Sequence, residues 1–287
     1  MLRPMANAVT PVLLRSLCSG IAAAVLSAPL AAQWPLHAAA GAPRKTDGTV
    51  EIEAPAPRTA DGHPDLSGLW ERFGPGGITP DFAALQSKDG GPPAATFWNL
   101  GAGFANGLPF QPLAQQLRAE RMADNQKNNP DALCLPMGLM QLHLHPQPRK
   151  IVQTPGLIVI MYEGNEGLRQ IFTDGRPLPT PGEDLQPWWY GYSAGHWEGD
   201  TLVVETIGFR DDVWLDVQGS PLTGTGRMIE RFRRPNFGTL EIDITIEDPA
   251  AYRSPFTVRV NQKLLPDAEL IEFICNENEK SIRHYDP

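Results

Sequence analysis

Two runs near the end of the chain alternate apolar and polar residues with a period of two. Leu240, Ile242, Ile244 and Ile246 interleave with Glu241, Asp243 and Thr245, and Phe256, Val258, Val260 and Leu264 do much the same. Successive side chains of a strand point to opposite faces, so each run builds a sheet with one buried and one wet face. Seven more short runs, rich in branched and aromatic residues, read as strands: Lys150–Thr154, Leu157–Glu163, Leu168–Thr173, Tyr190–Trp197, Thr201–Ile207, Arg227–Arg233 and Glu269–Cys275. Pro155-Gly156, Gly164-Asn165 and Glu198-Gly-Asp200 separate neighbours as turns, the last a strong hairpin signal. Helical runs do not alternate with these strands, which argues against a parallel βαβ sheet. The expected fold is therefore mainly β: an antiparallel meander closed as a barrel or folded as a sandwich, with one helix and a long irregular N-terminal segment.

The 29 prolines and 27 glycines punctuate this meander, and many of them crowd the chain before residue 112. Residues 1–42 read as a signal peptide, in which Arg3 and Arg15 are the only charges. Leu17 to Ala32 is apolar, and Ala38-Ala-Ala-Gly-Ala42 offers small-residue cleavage patterns, with Ala28 to Ala32 as an earlier option. Cleavage would take two arginines and no acids, moving the net charge from −9 to −11, and would remove Cys18. Residues 43–64 then form a disordered or extended leader, and 65–287 a single β-barrel domain. Its 74–130 insertion is a Gly- and Pro-rich loop followed by a helix from Pro112 through Leu113, Leu117 and Glu120 to Asn129-Pro130.

Cys134 and Cys275 remain, and in an exported chain they are most simply one disulfide, contributing roughly 3–5 kcal/mol by loop closure. The expected location is periplasmic or secreted. The acidic balance argues against a nucleic-acid partner, and beyond the N-terminus no apolar run is long enough for a membrane-spanning helix. Phosphate loops, nucleotide fingerprints, Cys-x-x-Cys pairs and His-Glu-x-x-His motifs are missing, so no cofactor is expected.

Several motifs carry a resemblance. Pro64-Asp-Leu-Ser-Gly-Leu-Trp70, Cys134-Leu-Pro-Met-Gly138, Phe172-Thr-Asp-Gly-Arg176, Gly195-His-Trp-Glu-Gly-Asp-Thr-Leu-Val-Val-Glu205 and Glu230-Arg-Phe232 resemble a family of proteins secreted by soil bacteria. The likeness covers most of the chain after residue 42; it implies secretion and brings no reaction with it. Gly68-Leu-Trp70 is also similar to the Gly-x-Trp that opens lipocalin-like barrels, which favours the barrel over the sandwich. This chain departs from the family pattern at Leu178 and Leu222, where His is frequent, and in carrying His143 and His145.

His143-Leu-His145 is the most metal-like feature, because on extended chain both imidazoles point to one side. A recognisable third ligand is lacking and prolines 146 and 148 suit a surface loop, so no metal site is assigned. Asp174-Gly-Arg176 reads first as a turn and second as a polar grip at the barrel mouth beside Arg169. Trp188, Trp189, Tyr190, Tyr192, Trp197 and Trp214 are either core or a stacking surface for sugars or aromatic ligands.

Glu205 and Glu230 alternate with apolar neighbours, and burial would raise their pKa values unless Arg169 or Arg231 pairs with them. Glu230 alternates with Met228 and Phe232, whereas both faces around Glu205 are apolar and leave its direction open. These residues support three readings. The first is an exported lipocalin-like barrel that binds a small, partly apolar molecule, aromatic or glycosylated, with Arg169, Arg176 and the aromatic group as its contacts. The second is a cofactor-free hydrolase, lyase or isomerase drawing acid–base groups from Glu230, Glu205, Asp174, His196 and Tyr192. The third is an envelope interaction module docking through residues 74–112.

Overall fold

The computed structural model describes residues 38–180, 185–275 and 277, so the expected export signal up to residue 37 lies outside the described residues. The first five strands are β1 (Gly68–Phe73), β2 (Arg149–Thr154), β3 (Leu157–Tyr162), β4 (Leu168–Phe172) and β5 (Tyr192–Glu198). The last four are β6 (Thr201–Ile207), β7 (Arg227–Arg233), β8 (Thr239–Glu247) and β9 (Phe256–Leu264). They form one closed barrel in chain order, because β1 pairs with β2 on one side and with β9 on the other. The mainly β architecture read from the alternation is therefore what the chain forms. Closure pairs every strand edge that an open meander would leave bare.

The register follows the buried faces. Ile242 lies opposite Val260 and Ile244 opposite Val258, and all four are buried. On the other side of β8, Ile244 faces Glu230 and Ile246 faces Met228. The core continues through Val204, Phe232, Ile151, Ile158, Ile160 and Ile171, each worth about 1.5–3 kcal/mol relative to exposure. Trp70 is fully buried and donates its indole N–H to the Leu66 carbonyl at 3.0 Å. Arg234 covers the Trp70 ring at 4.9 Å and donates to the carbonyls of Ser67 at 3.2 Å and Phe237 at 2.6 Å. This bolts β1 to the turn after β7.

Two features differ from the sequence reading. The β4–β5 pairing is parallel and confined to Ile171 opposite Ser193 and Phe172 opposite Ala194, whereas the other strand pairs are antiparallel. Parallel neighbours need a long connection rather than a hairpin turn, and β4 and β5 are separated in sequence by residues 173–191. Glu269–Cys275 is also not a strand: β1 already occupies the edge of β9, so this segment runs as irregular chain to Cys275. There Cys275 bonds Cys134, with their Cα atoms 5.6 Å apart.

Residues 74–130 carry the short helix α1 (Phe82–Leu85), a 3-10 turn at Leu100–Gly103, and helix α2 (Pro112–Ala123). The helix starts where Pro112 predicts but stops before Asn129-Pro130, and Leu113 and Leu117 remain exposed. Leader residues lie along the barrel, with Phe237 N–H donating to the Ala54 carbonyl at 2.7 Å and Arg58 paired with Asp200 at 2.7 Å. Among the described residues no helix is long and apolar enough to cross a membrane.

A third helix decides what the barrel contains. Helix α3 (Leu139–Leu144) is buried at every position and packs within the same core as the strands. His143 and His145 therefore do not sit on one extended segment: His143 is on α3 and His145 caps it. The helix begins at Gly138, where a φ of +88° strains any other residue and an added Cβ would lie 2.7 Å from Val213. It ends against Arg149, which is buried and donates to the carbonyls of His143 at 3.0 Å, His145 at 2.7 Å and Gln147 at 2.7 Å. A guanidinium on unsatisfied C-terminal carbonyls meets both their lone pairs and the negative end of the helix dipole.

Candidate functional site

The two-residue alternation of β7 sends Met228, Glu230 and Phe232 inward, and that of β4 sends Arg169 and Ile171 inward. Glu230 and Arg169 meet as a double-pronged ion pair: Nη1 donates to Oε1 at 2.9 Å and Nη2 donates to Oε2. Arg169 also donates from Nε and Nη2 to the Ser193 hydroxyl, at 3.1 and 3.0 Å, and from Nη2 to the Thr206 hydroxyl at 2.9 Å. His143 approaches from α3, with Nε2 2.7 Å from Glu230 Oε1. All five side chains are buried.

Burial raises the Glu230 pKa, but the Arg169 charge and the hydrogen bonds from His143 and Arg169 outweigh it and hold the carboxyl at about 2. Glu230 is thus an ionised acceptor, because Arg169 supplies one of the two pairings that the sequence left open. Burial lowers the His143 pKa more than Glu230 raises it, so the imidazole is neutral. With a carboxylate at Nε2, the proton sits there, and Nδ1 keeps a buried lone pair with no partner among the described residues. Among the described residues the Tyr162 hydroxyl is likewise buried without a partner, and burial raises its pKa to about 12.

The wall next to this cluster opens where the β4–β5 pairing is shortest. A cleft of about 420 Å³ is lined there by Leu168, Arg169, Gln170 and Phe172 from β4, by residues 187–193, by Pro136 and by Arg210. Phe172 stacks on Tyr192 with centroids 5.2 Å apart, and Trp188 stands 6.1 Å from Tyr192. Gly191 turns the chain into β5 at φ +62°, and a Cβ there would lie 2.7 Å from the Ile207 carbonyl. Arg169 and Ser193 belong to both sites, so the buried ion cluster forms part of the cleft wall.

The sequence-derived candidates divide accordingly. Trp188, Trp189, Tyr190, Tyr192 and Arg169 come together at the cleft. Asp174 and Arg176 stand at its edge, paired with each other at 2.6 Å, with Arg176 lying 3.9 Å over Phe172 and reaching the Tyr192 hydroxyl at 3.5 Å. Trp197 instead stacks on His63 at 4.6 Å, and Trp214 is buried under Arg121. Glu205 turns to the outside and pairs with Arg227 at 2.6 Å, because Val204 and Thr206 take the inward positions of β6. His196 is exposed beside Glu198.

Sequence reasoning missed Ser193, Thr206, Gln170, Phe172 and Arg210 as site residues, and it weighed His143 only as a metal ligand, assigning no site, when its partner is Glu230. The inward phase of β5 and β6 was the usable signal for Ser193 and Thr206. Nothing local marked His143, whose partner lies in a strand 87 residues away. Among the described residues no group of three His, Cys, Asp or Glu side chains is placed to hold a metal. Comparison of the chain with protein-family models, with curated proteins and with solved structures returns no match.

Proposed function

We propose that this chain is an exported binding protein whose cleft at the β4–β5 seam takes a small, partly apolar molecule. The observation that carries this reading is the cleft itself: about 420 Å³, bounded by Phe172, Trp188, Trp189, Tyr190 and Tyr192 with a few polar groups between them. Aromatic walls with sparse polar contacts and a volume of several hundred Å³ are the ordinary character of a small-molecule site. The pocket differs from that of a hollow lipocalin-like barrel, since α3 is buried within the barrel's core cluster and the ligand would bind in the wall. Export is supported by the Cys134–Cys275 disulfide, which persists in oxidising compartments.

Acid–base catalysis is the weaker reading. Its one favourable observation is the unpartnered Nδ1 of His143, but that ring is buried, and Glu230 is held ionised behind Arg169.

A thermal-shift screen of aromatic and glycosidic compounds tests the binding reading, because a ligand that binds only the folded state raises the melting temperature. Hits are expected to quench tryptophan fluorescence. Trp188→Ala, at a half-exposed position, should weaken them about tenfold while leaving stability within about 0.5 kcal/mol. A screen without hits, or hits indifferent to Trp188→Ala, would remove the cleft as the binding site.

A further inference from the structure

We propose that the cleft selects an aromatic carboxylate and that Arg210 reads the carboxylate; this rests on the cleft being a ligand site. The chain carries a net charge of −9, yet the residues lining the cleft include two arginines, Arg169 and Arg210, and no Asp or Glu. Arg169 is already committed, with each of its three nitrogens donating to Glu230, Ser193 or Thr206. It supplies shape and a fixed wall.

Arg210 is different. Its backbone N–H donates to the Trp188 carbonyl at 3.1 Å, and Trp188 N–H donates to the Gly208 carbonyl at 2.9 Å, which ties the two lining segments together. The guanidinium lies 4.7 Å over the Trp189 ring, so its planar face is covered and its edge is left for a partner. Nη2 donates to Asp212 at 2.6 Å. Nε is buried with no acceptor among the described residues, and Nη1 makes no hydrogen bond among them either.

The uncommitted Nη1 of a stacked guanidinium meets a carboxylate with a charge-assisted hydrogen bond. The rest of the lining suits a flat ring: the Phe172–Tyr192 stack and Trp188 supply apolar faces. A sugar ring would want side-chain acceptors for its hydroxyls, and here only Gln170, Ser193 and the Tyr190 and Tyr192 hydroxyls offer any.

The test is a fluorescence and calorimetric titration of the full exported chain with benzoate and 4-hydroxybenzoate, against methyl benzoate and phenyl glucoside. The acids should bind about tenfold more tightly than the ester. Arg210→Gln should abolish that preference and leave ester binding unchanged, while Arg233→Gln, in a surface pairing with Glu241, leaves the preference intact. Asp212→Asn removes the competing negative charge beside Nη2 and should tighten acid binding several-fold, which tests the residue without removing it. Equal binding of acid and ester, a preference for the glucoside, or an Asp212→Asn variant with unchanged acid affinity would overturn the selection while the cleft reading stands. If none of the four compounds binds, both fall.

Discussion

Arg169→Met should destabilise the barrel by about 3–5 kcal/mol, a third or more of the stability of an ordinary domain. The loss comes less from the ion pair's own worth than from what remains: Glu230 would stay fully buried with only neutral His143 donating to it. Ser193 and Thr206 would lose the Arg169 donor and keep only their mutual hydrogen bond. The double variant Arg169→Met with Glu230→Leu removes both charges and should recover much of the loss, since apolar replacements of buried ion pairs are often near neutral. Urea midpoints of the two variants measure this, and a single variant within about 1 kcal/mol of the parent would show that the cluster does not hold the strands together.

The pH dependence has a definite sign. Glu230 has a folded pKa of about 2 against an ordinary 4.5, so its contribution is complete above the ordinary value and is lost as pH falls towards 2. That interval corresponds to about 3 kcal/mol. His143 is also depressed, from an ordinary 6.5, so the unfolded chain takes up a proton that the folded chain refuses. Its stability contribution is lost as pH falls below that ordinary value. Both groups make acid destabilising. In Arg169→Met, burial becomes the dominant influence on Glu230 and raises its pKa, so the acid loss between pH 4.5 and 2 should shrink or reverse.

What the sequence revealed and what it hid divide along physical lines. Ile242, Ile244, Val258 and Val260 announce their face because alternation is a local property that burial on one side enforces. Glu230 was legible for the same reason, standing between Met228 and Phe232 on an inward face. Glu205 was not, because Val203 and Val204 are both apolar while only one of them belongs to the inward set. The site itself depends on non-local facts. The parallel β4–β5 seam opens the wall, and no local residue pattern encodes a crossover whose length only makes it possible. His143 sits on a six-residue helix, too short for a 3.6-residue period to declare itself between Gly138 and Pro146. Its ring meets Glu230 only once that helix has packed into the barrel's core. Arg210 lies in irregular chain after β6, and its role depends on the backbone bonds that place it over Trp189.

Replacing both Cys134 and Cys275 by Ser should cost roughly 3–5 kcal/mol and should also slacken the cleft. The bridge spans 141 residues, and constraining a loop of that size removes substantial entropy from the unfolded chain. Its native role follows from what its two ends touch. Cys134 precedes Pro136, which lines the cleft. Cys275 ends the irregular segment whose Leu270, Ile271 and Phe273 lie beside Leu168, another lining residue. That segment has no sheet pairing to retain it after β9, so with the bridge gone residues 266–275 should become open to limited proteolysis while the barrel remains resistant. Ligand affinity should fall with it, because Pro136 and Leu168 lose a common tether. Reduction of the parent protein by dithiothreitol should reproduce both effects. If the double variant kept the parent's melting temperature and its cleavage pattern, the tail would be held by packing alone, and the exposed Ile271, Phe273 and Ile274 would need a partner surface to account for them.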